Sequence, residues 1–120
     1  MYSVSYNSDE HFVYVVTTGH YSIKDTGKFL RDGVKLADKN NCTKLIMDHR
    51  DCEFTASYLE INSIAKYLNS LGFGYKYTGA VIYNQDHEKY DFADTVSQNW
   101  SSGVLRFFDD IEEAKKWLLS

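Results

Sequence analysis

The stretch KLIMDHRDCEFTASYLE, residues 44–60, contains the pattern from which the fold can be predicted. Its apolar run at 45–47 is short and continuous, which is typical of a central strand buried on both faces of a parallel sheet. Four polar residues, 48–51, follow directly and predict a loop at the end of that strand. Ser57, with Glu60 three residues later, is a capping box and predicts that a helix begins there.

Strands and helices alternate in the same way along the rest of the chain. Apolar runs and apolar–polar alternation predict strands at 2–6, 12–18, 43–47, 80–83 and 104–108. A short turn joins the first two strands into an antiparallel hairpin. With the helices between the later strands, the order is β-β-α-β-α-β-α-β-α over residues 1–120. This order predicts a single α/β domain with a five-stranded, mainly parallel sheet and an antiparallel N-terminal edge strand.

Four amphipathic helices complete the predicted fold. Capping patterns at Ser22, Ser57 and Asp110 mark the start of three of them, and Gly72 is a stop signal for the second. The remaining helix, at 88–100, is predicted from apolar residues four positions apart. The predicted apolar stripes of the second and third helices include Ala65, Phe92, Val96 and Trp100.

Composition excludes several classes of protein. The net charge is -4, and the lysines and arginines are scattered, so no basic face for a nucleic acid is expected. No apolar stretch approaches the roughly 20 residues that cross a bilayer, and the first residues lack the basic-then-apolar pattern of a signal peptide. We therefore expect a cytoplasmic protein without a transmembrane segment.

The two cysteines, Cys42 and Cys52, lie on either side of the predicted central strand. An extended strand of this length separates its ends by roughly 20 Å, whereas a disulfide requires Cα atoms within about 7 Å. We therefore expect free thiols, as is typical of a reducing compartment. Two cysteines also provide no zinc framework.

Three stretches carry a resemblance to known proteins: YSVSYNSDEHFVYVVTTGHYS at 2–22, KLIMDHRD at 44–51 and VLRFFDDIEEAKKWLL at 104–119. The order of elements, at this length, resembles the STAS domain, the fold of bacterial anti-anti-sigma factors. The order and the three stretches are similar to a group of small uncharacterised bacterial proteins compared with that fold or with the CRAL-TRIO lipid-exchange fold. The resemblance covers nearly the whole chain and implies a fold more specifically than an activity.

The resemblance also directs attention to the start of the second helix. Anti-anti-sigma factors carry Asp-Ser-Ser-Gly there, and the second serine is phosphorylated. Residues 56–59 of this chain read Ala-Ser-Tyr-Leu, so the acceptor position falls on Tyr58 and only Ser57 matches. Ser57 already has a structural role as the N-cap. We therefore expect a domain without the usual phospho-serine switch.

Polar side chains follow three neighbouring strands, at 18–21, 48–51 and 84–87. The carboxyl ends of parallel strands meet at one edge of a sheet, where ligands usually bind. We call this edge the strand-end rim. The candidate residues for binding a ligand or partner, at the rim and the adjoining helix start, are His20, Tyr21, Asp48, His49, Arg50, Ser57, Tyr58 and His87.

The rim has other interpretations. His20, His49 and His87 with Asp48 or Asp86 are suitable metal ligands, but no close spacing supports such a site. A hydrolase based on Ser57, His49 and Asp48 lacks a G-x-S-x-G elbow. A phosphate could bind at the helix that Ser57 opens, beside Arg50. The simplest interpretation is that residues 48–51 are an ion-paired end of a loop.

Aromatic residues are concentrated around the second and third helices. The set is Tyr58, Tyr67, Phe73, Tyr75, Tyr77, Tyr90 and Phe92. It forms either ordinary packing or an apolar ligand cleft or partner surface.

We expect a non-enzymatic binding or regulatory domain. It would engage a protein partner or a small apolar ligand at the strand-end rim and the second helix. It would need no cofactor, and the hairpin edge would suit self-association. The alternative is a small enzyme or metal-binding protein that uses the histidines and aspartates of the rim.

Overall fold

The structure is a computed structural model that describes residues 1–73, 76–101 and 105–120. The side chains of Ala65, Asn99, Trp100 and Ser101 are also outside the description. Four predicted positions therefore lie outside the described residues or side chains. They are Ala65 and Trp100 of the helical stripes, Tyr75 of the aromatic set, and Val104 at the start of the predicted fifth strand.

The described residues form strands and helices in the predicted order. They are β1 (Tyr2–Asn7), β2 (Phe12–Tyr21), α1 (Ile23–Lys39), β3 (Lys44–Phe54), α2 (Tyr58–Leu71), β4 (Thr78–Ile82), α3 (His87–Ser101), β5 (Leu105–Phe108) and α4 (Ile111–Leu118). None of these helices, within the described ranges, is both long and apolar enough to cross a membrane.

The sheet has the strand order β1-β2-β3-β4-β5. β1 pairs antiparallel with β2, and the remaining neighbours are parallel, so the predicted mixed sheet is confirmed. Because the strands follow one another in space as in sequence, right-handed crossovers place α1, α2 and α3 on the same side of the sheet. We call this side the three-helix face. Helix α4 packs on the other side, against β4 and β5.

Each face of the sheet has its own core. On the three-helix face, Val13, Val15, Leu45 and Met47 alternate along β2 and β3 and pack against the buried stripes of α1, α2 and α3. The smaller core under α4 consists of Phe12, Ile46, Ala80, Ile82, Ala114 and Leu118. Cys42 and Cys52 are buried free thiols in the larger core.

Strands β2 and β3 are longer than the sequence predicted. Val16 pairs with Asp48, but Thr18 pairs with Asp51, so β3 contains one extra residue, a β-bulge. The ladder then continues to the pair Tyr21 and Phe54. Residues 18–21 and 48–51 are therefore parts of strands, and the prediction that they are loops was wrong. The bulge interrupts the two-residue alternation by which a strand is recognised in a sequence.

The predicted helix boundaries are confirmed where capping signals were present. Ser22 with Asp25, and Ser57 with Glu60, form complete capping boxes. Asp110 caps α4 by accepting a hydrogen bond from the backbone N–H of Glu112. At the end of α2, Gly72 has a φ of 110°, a left-handed conformation that side chains disfavour.

Two glycines of α1 provide a matched test of how closely this helix approaches its neighbours. A Cβ at Gly27 would meet only Tyr67, at 3.8 Å, whereas at Gly33 it would lie 3.1 Å from Leu45 Cδ2 and 3.3 Å from Val15 Cγ2. We expect Gly27→Ala to raise the free energy of unfolding by about 0.5–1 kcal/mol through helix propensity. Gly33→Ala should be less stable than Gly27→Ala by about 1 kcal/mol, because it crowds the sheet. Urea unfolding measures the stability of both variants. An equal rise in their free energies of unfolding would contradict this account of α1 packing.

Candidate functional site

A cavity of about 60 Å³ lies between the three-helix face and helices α1, α2 and α3. Most of its lining is aliphatic or aromatic, contributed by both the sheet and the helices. The lining includes Phe29, Leu30, Met47, Ile61, Leu68 and Val81. The space is several times larger than the roughly 10–15 Å³ that one water molecule requires, but its apolar walls offer water few partners. The site is therefore chemically suited to an apolar group.

His49 is the buried histidine in the wall of this cavity. Its side chain lies on the three-helix face of β3 and is only 4% exposed. Its Nδ1 is 2.7 Å from the hydroxyl of Thr17, across the β2–β3 pair. Nε2 has no hydrogen-bond partner among the described residues. Among those residues, every polar side-chain atom that is fully enclosed has a partner, so Nε2 is not fully enclosed. Nε2 is therefore open to the cavity.

Burial keeps His49 neutral. Loss of hydration lowers the pKa of its imidazole to about 3, and the negative charge of Asp48 opposes this only in part. A neutral imidazole donates at one nitrogen and accepts at the other. Either Thr17 donates to Nδ1 and Nε2–H donates into the cavity, or Thr17 accepts from Nδ1–H and Nε2 accepts. In both tautomers one hydrogen-bonding atom faces the cavity.

An aromatic cluster surrounds the imidazole. Tyr21 is stacked between His49 and Phe54, with ring centroids 4.6 and 4.7 Å away. The hydroxyls of Tyr21 and Tyr90 share a buried hydrogen bond of 2.5 Å. Burial raises the pKa of both tyrosines, so both remain neutral. The cluster therefore holds the ring of His49 in place without placing a charge beside it.

Asp48 and Arg50 form a separate cluster on the opposite face of the sheet. Arg50 Nη2 and Nε donate to the two carboxylate oxygens of Asp48 at 2.7 and 2.9 Å, and the Tyr14 hydroxyl donates to the same carboxylate. Burial alone would raise the pKa of Asp48, but the hydrogen bonds from Arg50 and Tyr14 outweigh it and lower that pKa. The ion pair predicted for residues 48–51 is present, but it lies within β3 and is already satisfied.

The predicted histidines do not form a metal site. His20 is exposed on β2 opposite Glu53, and His87 is exposed at the first residue of α3, where its ring contacts Tyr83 edge-on. Among the residues that the structure describes, no group of three metal-ligating side chains lies close enough together to hold an ion. Of the three histidines, His49 is the one that lines the cavity.

The remaining predicted residues lie at the start of α2. The hydroxyl of Ser57 accepts the backbone N–H of Glu60 at 3.2 Å, so it is used in the capping box. Tyr58 is 46% exposed and packs edge-on against Phe92, with ring centroids 5.0 Å apart. The structure thus brings together Tyr21 and His49 from the predicted set and leaves the others outside the cavity.

Sequence reasoning did not identify Thr17 as the partner of His49. A signal was present, because Val13, Val15 and Thr17 alternate and predict that Thr17 faces the core. A polar residue on a core face requires a hydrogen-bond partner. The apolar lining residues carry no such signal, since a side chain that borders a cavity has the same pattern as one that is fully packed.

Comparisons with known proteins confirm the predicted STAS-like fold. No family model and no curated protein matches the chain. An uncharacterised protein of the DUF3478 family with a SpoIIAA-like fold, from Shewanella loihica PV-4, is similar with a TM-score of 0.60 and 16% identity over 98% of this chain and 92% of its own. The anti-sigma factor antagonist SpoIIAA, in its unphosphorylated form, has a TM-score of 0.56 and 10% identity over 94% and 92%. At these identities the likeness concerns the fold alone.

Burial of neutral His49 makes stability depend on pH. The pKa is about 3 in the folded protein and about 6.5 in the unfolded chain. As the pH falls below 6.5, the unfolded chain therefore binds a proton that the folded one does not, and stability is lost. Between pH 7.5 and 5.0 we expect this group alone to remove about 2 kcal/mol.

The measurement is urea unfolding at both pH values. We expect the His49→Gln variant to be less stable than the wild type at pH 7.5. Between pH 7.5 and 5.0, its free energy of unfolding should fall by about 2 kcal/mol less than that of the wild type. His87→Gln, at an exposed position, is the control and should retain the wild-type profile. An unchanged pH dependence in His49→Gln would mean that the imidazole is not held neutral.

Proposed function

We propose that this chain is a non-enzymatic binding domain that holds a small apolar molecule in the cavity under α1, α2 and α3. The observation that carries the proposal is the combination of apolar walls with one open imidazole nitrogen, Nε2 of His49. Ligand sites are typically mostly apolar, with a few polar groups that fix orientation. A ligand with one hydrogen-bonding group would therefore meet both requirements of this cavity.

The energetics of His49 support a ligand over plain packing. A buried polar atom without a partner costs about 1–3 kcal/mol. A phenylalanine or leucine at this position would avoid that cost, and a core normally excludes voids larger than a water molecule. An imidazole beside an apolar space is therefore better explained by a molecule that completes the hydrogen bond.

The surroundings of His49 also favour binding over catalysis. An imidazole with a pKa of about 3 is a weak base at neutral pH. Asp48, the predicted acid partner, is paired with Arg50 on the other side of the sheet, and the hydroxyl of Ser57 caps α2. The nucleophile, base and orienting acid of a hydrolase are thus not assembled around this histidine.

The test uses 1-propanol, a neutral probe with one hydroxyl that suits a cavity of about 60 Å³. Native mass spectrometry of the purified protein should detect a retained ligand that denaturation removes, or 1-propanol should bind and raise the melting temperature. Ala93→Leu fills the cavity from α3 and should abolish binding. Thr95→Leu makes a similar change at an exposed site of the same helix and should leave binding intact. A bare mass and no stabilisation by 1-propanol would refute the proposal.

A second candidate function is binding of a protein partner at the start of α2. Leu59 is 81% exposed beside the half-exposed Tyr58, so two large apolar side chains face solvent together. Exposed apolar pairs at a helix start are suited to a partner surface. SpoIIAA, which shares the fold, is described as an antagonist of an anti-sigma factor, and this supports a protein partner for the present chain.

Affinity capture tests the second candidate. A partner retained by the wild-type chain should be lost with Leu59→Asp, which removes the apolar side chain and adds a charge. Asn62→Asp adds the same charge at an exposed site on α2 and should retain the partner. A dimer mass in the native spectra that Leu59→Asp abolishes would identify the partner as a second copy. Capture that does not differ between the two variants would contradict a surface at Leu59.

A further inference from the structure

A groove between α1 and α2 adjoins the cavity. It has an open volume of about 400 Å³ and shares two lining residues, Thr26 and Ile64, with the cavity beneath it. Thr26 is buried and its hydroxyl is bonded to the carbonyl of Ser22, whereas Ile64 is half-buried on α2. The two spaces therefore adjoin at these two side chains.

The charges around this groove are of one sign. Lys24 and Arg31 line it, and among the described residues no carboxylate does. The neighbouring acids of α1 keep their charges but do not line the groove: Asp25 accepts hydrogen bonds from Ser22 at the N-cap, and Asp32 accepts one from Tyr2 on β1. The lining of the groove is therefore cationic, on a chain with a net charge of -4.

Gly27 lies between the two cations. It is three residues after Lys24 and four before Arg31, so all three occupy one stripe of α1. With no side chain at Gly27, the floor of the groove is open, and the nearest atom to a Cβ there would be Tyr67 Cε2 at 3.8 Å. Arg31 Nη1 donates to the Tyr67 hydroxyl at 3.3 Å, which holds the guanidinium at the groove.

We infer that the ligand of the cavity is an amphipathic anion. Its apolar part, with one neutral hydrogen-bonding group that meets Nε2 of His49, reaches into the cavity, and its carboxylate lies in the groove over Gly27, between Lys24 and Arg31. The inference rests on the proposed function and adds the ligand class. The apolar cavity and the cationic groove are independent features, and an amphipathic anion is the ligand class that uses both.

The experiment compares octanoate with 1-octanol by titration calorimetry at low salt. The two probes differ in the head group, so the difference between their affinities reports on the groove. We expect octanoate to bind the wild type, and the double variant Lys24→Gln/Arg31→Gln to weaken octanoate about fivefold, the effect of two exposed ion pairs. Binding of 1-octanol should change by less than about twofold. Added salt should likewise weaken octanoate alone.

The control is the double variant Lys28→Gln/Lys35→Gln. It makes the same change in net charge on exposed positions of α1 that do not line the groove, and it should bind octanoate as the wild type does. If 1-octanol binds but the Lys24 and Arg31 changes have no effect, or if both double variants weaken octanoate equally, the groove does not recognise an anion and the inference is refuted. If neither probe binds although 1-propanol does, the inference fails and the proposed function stands. If 1-propanol does not bind either, both fail.

Discussion

The β-bulge in β3 is the constraint on which the arrangement of the site depends. One extra residue between Asp48 and Asp51 allows His49 and Cys52 to face the same core, although they are three positions apart. It also leaves Asp48 and Arg50 on the opposite face, where they neutralise each other. Without the bulge, strict alternation would move the residues after it to the wrong side of the sheet. One irregularity in the ladder thus separates a neutral face of β3 from a charged one.

The consequence for the interior is an uncharged cavity that is apolar apart from a few hydrogen-bonding groups. His49 is neutral because it is desolvated, and Tyr21 and Tyr90 are neutral and bonded to each other. Full charges in such a place would cost more than the fold can supply. Hydrogen-bonding groups without charge cost less and still give direction to a ligand. The cations at the groove are exposed and retain their hydration. The site therefore combines a desolvated, uncharged part with a hydrated, charged part.

The order of elements and the parallel sheet were predictable because they depend on local signals. Capping boxes at Ser22 and Ser57 and the apolar run at 45–47 each depend on residues within one turn or one strand. The site was less predictable. Tyr21 and His49 were named as candidates but were placed in loops, because the bulge hides the continuation of β3. The cavity joins side chains from seven separate elements, and the groove depends on the spacing of two helices. Neither the approach of these seven elements nor the spacing of the two helices leaves a periodic signal in a single sequence.

The cavity also has a mechanical consequence. A folded protein with internal empty space occupies a larger volume than its atoms require, and unfolding removes that space. For a space of about 60 Å³, the contribution to the volume change is on the order of tens of mL/mol. High hydrostatic pressure therefore acts against a fold that contains such a space. A molecule that fills the cavity opposes this effect by its size alone, whatever hydrogen bonds it makes.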